Sequence, residues 1–364
     1  MPCHCTLPPL ACTVKGLRET RDVKVSAAHP TLEAVAAHAG VSRATVSRVV
    51  NGTPGVRPEL REKVKRSVAE LGYVPNSAAR SLVTRRTGAV AVVIAEPETR
   101  VFADPFFARQ LRGISRELSA NDLQLLLMLV EEEADYQRVG RYLAGGHVDG
   151  TLMFSLHAND PLRGIAAASG LPTVFGGRPW WPGWEQDDSL VYVDTDNRDG
   201  ARRAVRHLAE SGHRRIAVIT GPLDQTSAVD RLAGYRDALG LAEPDPALQA
   251  HGDFTVDGGA RAMAELLDRS PAPDAVFAGN DLMATGALRT LRARGLSVPE
   301  DVAVVGYDDL DPAAWADPPL TTVRQDIVRM GEIMARLLVR SLNDAEAPVS
   351  SVVIPSQLVV RGSA

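Results

Sequence analysis

Residues 31–52 read TLEAVAAHAGVSRATVSRVVNG. Behind Thr31, a residue type that caps helix N-termini, apolar side chains recur at Leu32, Val35, Ala36 and Ala39, a helical spacing. Ala39-Gly40-Val41 makes a tight break. A second helix starts at Ser42 and stops at the Asn51-Gly52 cap. Its apolar side is Val46, Val49 and Val50; its other side carries Arg43, Ala44, Thr45, Ser47 and Arg48. A third helix follows Arg57, with Pro58 in its first turn, a stripe of Leu60, Val64, Val68 and Leu71, and an end at Gly72. Two short helices across a tight turn, backed by a third, make a helix-turn-helix unit. The second helix of such a unit enters the DNA major groove with its N-terminal residues at base edges. Arg43 and Arg48 can bond guanine bidentately, and Ser and Thr suit phosphates or either base.

Charge supports that reading. The chain of 364 residues has net charge −5, yet residues 31–87 carry ten basic and four acidic side chains, and residues 1–30 carry four and two. Everything after residue 87 is therefore strongly acidic. A basic module ahead of an acidic body points to a polyanion partner for the front and another ligand for the back. The length requires more than one domain. No apolar run approaches the roughly 20 residues of a membrane span. The opening MPCHCTLPPLACTVKG is short of apolar residues, broken by Pro8-Pro9 and without a basic start, so no secretory signal is read and a cytoplasmic protein is expected. Cys3, Cys5 and Cys12 all fall in this tail, expected to be disordered over 1–30; with His4 they form only a weak metal pattern. No cofactor or metal is expected.

From Gly88 the texture changes. AVAVVIAE, LQLLLMLV, GTLMFS, PTVFGG, RIAVITG, DAVFAGND and DVAVVGYDD alternate with helical stretches. Such runs read as buried parallel strands and the stretches between them as crossover helices, a doubly wound α/β pattern that occurs twice. Ligands of such sheets bind at the carboxyl ends of strands. Candidates there are Asn280-Asp281, Asp308-Asp309, Ser155, Phe254, Arg231 at the opening of RLAGYRDAL, and Asp104-Pro105-Phe106-Phe107. Carboxylates, an amide and a guanidinium on opposite loops can grip vicinal hydroxyls, and an aromatic ring can cover an apolar sugar face. Asn280 and Asp281 can also simply cap the next helix, Phe106 and Phe107 can be core, and Arg231 can be a surface charge.

TLEAVAAHAGVSRATVSRVVNG, REKVKRSVAELGYVPNSAARSL and VVGYDD resemble the lactose-repressor/galactose-repressor family of bacterial transcription regulators, over about residues 31–364. The resemblance implies a small all-α helix-turn-helix domain over 31–74 and a hinge helix and linker over 75–87. It implies a two-lobed, periplasmic-binding-protein-like α/β effector and dimerisation domain over 88–364. Lobe one is placed near 88–195 and 327–350, lobe two near 196–326 and 351–364. DNA contacts are expected from Thr31, Ser42, Arg43, Ala44, Thr45, Ser47, Arg48 and Asn51, and from Asn76, Ala79 and Leu82 of the hinge. Leu82 holds the family's minor-groove wedge position, although on its own it reads rather as a linker or core residue. Arg231, Asn280 and Asp308 match the residues that bind sugar hydroxyls, Phe254 the stacking aromatic, and Asp104, Phe106, Phe107 and Ser155 the other wall.

The implied function is a sequence-specific, homodimeric repressor of carbohydrate-utilisation genes, bound to a near-palindromic DNA operator and controlled by a small sugar. A purine, phosphosugar or protein co-effector is the alternative. A transport-type solute-binding protein shares the body but has no use for residues 31–87. An enzyme is not expected: there is no Gly-x-Gly-x-x-Gly after the first strand, no phosphate-loop lysine motif and no histidine in a triad or metal-ligand spacing. GGRPWWPGWEQDDS, with Trp180, Trp181 and Trp184, has no family counterpart and reads either as a sugar platform or as a local apolar plug.

Overall fold

The computed structural model describes residues 30–74, 86–179, 190–269, 272–344, 346 and 348–364. Expectations on the cysteine tail, on Asn76, Ala79 and Leu82, and on Trp180, Trp181 and Trp184 lie outside the described residues.

The front unit is built from α1 (Leu32–Ala39), α2 (Arg43–Val50) and α3 (Pro58–Leu71). Thr31 caps α1 by accepting from the Ala34 amide, and Gly40 ends it in the left-handed region. Ser42 caps α2 in the same way through Thr45, so Ser42 is the cap rather than the first helical residue. Val35, Ala36, Ala39, Val46 and Val64 form the small core, with Val49, Val50, Val68 and Leu71 packed beside them. Apolar spacing and caps thus decide the element ends and the buried face together.

In the body, β1 (Ala89–Ile94), β2 (Gln124–Leu129), β3 (Gly150–Phe154), β4 (Thr173–Gly176), β5 (Val191–Thr195) and β11 (Val352–Ile354) form one sheet, ordered β11-β5-β4-β3-β1-β2. A second sheet joins β6 (Ile216–Thr220), β7 (Gln249–His251), β8 (Ala275–Ala278), β9 (Ala303–Asp308), β10 (Thr321–Arg324) and β12 (Gln357–Val359), ordered β12-β10-β9-β8-β6-β7. The first five strands of each half follow the same relative order, and only the β10–β12 pairing is antiparallel. Helices cover the sheets: α4 (Glu98–Ala103), α5 (Pro105–Ala120), α6 (Glu133–Ala144), α7 (Leu162–Ser169) and α13 (Ile327–Asn343) in the first lobe. The second has α8 (Asn197–Glu210), α9 (Thr226–Leu239), α10 (Val256–Asp268), α11 (Asp281–Ala293) and α12 (Asp311–Trp315). The strands are near-continuous apolar runs because helices close both faces of a parallel sheet.

The chain passes between lobes after β5, after β10 and between β11 and β12. The expected placement of 351–364 in the second lobe is corrected here. Val352–Ile354 pairs with Val193–Thr195 in the first sheet, and the return follows it. Two short strands flanking Pro355 look alike in sequence, and only pairing assigns them to different sheets. A helix, α4, also intervenes between the first strand and Asp104-Pro105.

Candidate functional site

On the front unit, Ser42, Arg43, Ala44, Arg48 and Asn51 are exposed, while Thr45 and Ser47 are half-buried. Thr45 Oγ1 lies 2.9 Å from Ser42 Oγ, and Asn51 Nδ2 donates to Ser47 Oγ at 3.3 Å. Arg43 is paired with Glu33 of α1 at 3.0 Å. Such an exposed pair contributes little stability, about 0–1 kcal/mol, and leaves Arg43 ready to exchange partners. The polar face therefore holds a guanidinium at the N-terminal end of the second helix, where a groove-bound helix meets base edges.

In the body, the carboxyl ends of both sheets face a cleft of about 110 Å3. Arg231 lies in its lining, not at a helix start: α9 begins at Thr226, and Arg231 is buried within it. Its Nε donates to Asn197 Oδ1 at 2.9 Å and its Nη1 to the Gly279 carbonyl at 2.5 Å; Nη2 stands 3.5 Å from Asp308. The guanidinium carbon sits 3.8 Å from the Tyr307 ring centre and 5.8 Å from that of Phe254. Asp308 also accepts from Gln325 Nε2 at 2.5 Å. Burial pushes its pKa up to about 7, with the charge of Asp104 adding and Arg231 opposing. Asp281, buried behind it, is raised too, by burial and by Asp308.

Asn280 does the capping job that its sequence position allows. Its Oδ1 accepts from the Met283 amide at 2.8 Å and its Nδ2 donates to the Phe254 carbonyl at 3.0 Å. It thereby fixes the loop that carries Phe254. The tip of that ring lies against Gly221, where a Cβ would fall 2.1 Å from Cζ, so the ring's position depends on glycine there. The opposite wall holds Asp104, which caps α5 through the Phe106 amide at 2.9 Å. Its pKa is raised by burial. Phe106 and Phe107 meet edge to face, and both border the cleft, although Phe107 is also core. Ser155 has φ +60° and donates to Glu96 at 2.5 Å.

Residues 31–76 match bacterial regulatory proteins of the lacI family, and residues 205–364 match a periplasmic binding protein-like domain. Over 336 residues the chain is 52% identical to the HTH-type transcriptional regulator CelR of Thermobifida fusca, covering 92% of this chain and 98% of that protein. The chain belongs to the lacI family of bacterial regulatory proteins. This lacI-family regulator is also 36% identical over 340 residues to the ribose operon repressor of Escherichia coli strain K12, covering 92% and 99% of the two chains. Two of the solved structures that share its fold cover nearly the whole chain. One is a transcriptional regulator CelR–cellobiose complex, with TM-score 0.73, 49% identity and coverage of 92% and 100%. The other is the lac repressor dimer bound to operator and the anti-inducer ONPF, with TM-score 0.79, 31% identity and coverage of 92% and 99%.

The lacI-family body also holds site residues that the sequence reading passes over. Asn197 braces Arg231, and Asp194 lines the cleft with its pKa raised by burial to about 6. Gln110 is buried in the lining, and its Oε1 has no partner among the described residues. Cross-lobe bonds join Arg178 to Asp230 at 2.6 Å and His157 to Asp224 at 2.8 Å. Among the described residues no three His, Cys, Asp or Glu side chains cluster as metal ligands, and no helix is long and apolar enough to cross a membrane.

His157 gives a pH prediction. The carboxylate of Glu96, 3.6 Å from Nε2, and then that of Asp224, 2.8 Å from Nδ1, outweigh burial and lift its pKa to about 9 from an ordinary 6.5. A raised histidine pKa contributes stability that is complete below about pH 6.5 and lost as pH rises through about 9. The buried Asp308 acts in the same direction at lower pH, because its raised pKa costs stability as pH climbs from about 4 to about 7. The melting midpoint of the body should therefore decline between pH 6.5 and 9, and His157→Gln should flatten that limb. An unchanged slope in that variant would assign the titration elsewhere.

Proposed function

We propose that this regulator is a cytoplasmic homodimer that occupies two half-sites of a near-palindromic operator and represses carbohydrate-utilisation genes. Its proposed effector is a neutral glucose disaccharide of the cellobiose type. The observation that carries the effector reading is the Arg231–Asp308–Asn197 group beside Phe254: planar charged hydrogen-bonding groups for hydroxyls next to a ring for the apolar sugar face. Buried Asp104, Asp194 and Asp308 line the same cleft beside Arg100, Arg178 and Arg231, which leaves no excess of positive charge for a phosphosugar. Similarity to a CelR–cellobiose complex supports the sugar class.

On the front, Arg43 is the proposed base reader, with Ala44 offering a methyl contact. Ser42, Thr45, Ser47, Arg48, Asn51 and Thr31 serve phosphates or base edges. Asn76, Ala79 and Leu82 are proposed for the hinge, with Leu82 as a minor-groove wedge. Effector binding shifts the relation of the lobes, and a coupling of about 1–3 kcal/mol suffices to change operator occupancy five- to 150-fold.

Selection of bound sites from random duplex DNA, with and without cellobiose, tests both halves. A palindrome whose occupancy changes with the sugar is the expected result. Arg43→Ala should relax the preference at one base pair by about 1–3 kcal/mol. Lys65→Ala should weaken all sequences alike. Uniform loss in Arg43→Ala would remove its reading role.

A further inference from the structure

Beside the group around Arg231, the cleft-lining Arg100, Ser155 and Gln225 form a second polar cluster. It centres on Glu96, buried just after β1. Its Oε1 accepts from Arg100 Nη1 at 2.6 Å, from Ser155 Oγ at 2.5 Å and, across the lobes, from Gln225 Nε2 at 2.8 Å. Burial alone would raise the Glu96 pKa; His157, Arg100 and these hydrogen bonds outweigh it and keep the carboxylate ionised.

Arg100, on α4, lines the cleft with its guanidinium carbon 5.9 Å from the Phe107 ring centre in one lobe and 5.4 Å from that of Phe254 in the other. Phe254 is thus shared by two guanidinium groups, Arg100 from the first lobe and Arg231 from the second. Their bonding differs. Arg231 is bonded through Nε and Nη1, whereas Arg100 Nε is buried and has no partner among the described residues. Buried donors in native proteins are almost always satisfied, and exceptions call for a cause. Here the donor belongs to a residue that lines the cleft, next to aromatic faces that suit a pyranose. Glu96 already balances its charge, so the group selects a neutral oxygen rather than an anion.

We propose that Arg100 is the specificity-determining contact for the second ring of a disaccharide effector, donating its Nε–H to a sugar oxygen while Glu96 positions the guanidinium. The assignment rests on the sugar-effector reading. It makes the cleft a two-ring site: Arg231 and Asp308 hold one ring, Arg100 reads the other, and Phe254 serves both.

Calorimetric titration of the full chain with cellobiose and with glucose tests it. Arg100→Met should lose about 10- to 100-fold in cellobiose affinity and less than about threefold in glucose affinity. Arg100→Lys keeps the charge and the reach to Glu96 but has no Nε–H, and should show the same selective loss. The Glu96→Gln/Arg100→Met double variant removes the carboxylate left without its partner. It should reproduce the loss with a cooperative melt, separating the effect from misfolding. Equal losses for the two sugars, or cellobiose affinity in Arg100→Lys equal to that of the unaltered protein, would overturn the assignment. If glucose does not bind the unaltered protein, the cellobiose result for Arg100→Lys decides alone. An unaltered protein that binds operator but neither sugar would instead refute the sugar reading, and the Arg100 role with it.

Discussion

An Arg231→Met protein is expected to bind operator and ignore the effector. The side chain is buried and donates to Asn197 and to the Gly279 carbonyl. It is also the main cation that opposes the rise in the Asp308 pKa, ahead of Arg109. Methionine fills much of the volume but supplies none of these donors. Each hydrogen bond between a charged group and a hydroxyl is worth about 1.5–3 kcal/mol, so losing one lowers effector affinity about 10- to 150-fold. Breaking a buried ion pair from one side costs about 3–5 kcal/mol of stability. At 3.5 Å the pair is loose, and Asp308 can take up a proton, so the lower end applies. Operator anisotropy with and without cellobiose reads the response, and thermal unfolding reads the stability. Arg231→Lys keeps the charge without the planar fork and should restore stability better than it restores the response. A full response in Arg231→Met would reduce Arg231 to a brace between α8 and α9.

Arg231 also marks how far the sequence alone can be read. Asn280, Asp308 and Phe254 are legible as candidates because each stands in a short motif beside a strand end, and strand ends are where a doubly wound sheet meets ligands; Arg231 is legible only through its Arg-Leu-Ala-Gly motif, and all four line one cleft. The helix-turn-helix is legible for a similar reason: caps, turn glycine and apolar spacing are all local. Their environments are not local. RLAGYRDAL looks like a helix start because TSAVD before it is a weak pattern, yet the helix already runs from Thr226 and buries Arg231. Asn280 reads as a cap or as a ligand, and it is committed as a cap on one side and as a loop brace on the other.

The cross-lobe partners are out of reach of such reading. Gln225 meets Glu96, Arg178 meets Asp230, and Arg109 donates to the Asp309 carbonyl at 2.9 Å; these pairs lie tens to hundreds of residues apart. No periodicity connects them. Glu96 itself does carry a signal, a single carboxylate directly after the apolar run AVAVVIA, where burial demands a partner. The short strands at 191–195, 249–251 and 352–354 lack length rather than pattern, which is why the last crossover shifts to Pro355-Ser356.

A methyl group at Gly113 should unfold the first lobe at markedly lower temperature. Gly113 lies in α5 against α13, and a Cβ built there falls 2.0 Å from the Val328 carbonyl oxygen and 3.0 Å from the Glu332 amide. The contact is reciprocal: a Cβ on Gly331 of α13 would fall 2.3 Å from the Gln110 carbonyl. Backbone meets backbone on both sides, so no side chain can rotate away, and the helices must separate. Around the crossing, Ile114, Met330, Met334 and Leu338 belong to one packed cluster, and separation opens it. Alanine in place of glycine inside a helix ordinarily stabilises by about 1 kcal/mol. Overpacking usually costs about 1–3 kcal/mol, and a backbone obstacle puts this site at or beyond the upper limit. Gly164 in α7, with nothing within 4 Å of a built Cβ, supplies the control, and Gly164→Ala should be neutral or stabilising. Urea unfolding of the two variants should therefore move in opposite directions. Gln110 and Met330 line the cleft from this crossing, so Gly113→Ala should also weaken effector binding. A Gly113→Ala protein as stable as its parent would mean that α5 and α13 can part without disturbing the core between them.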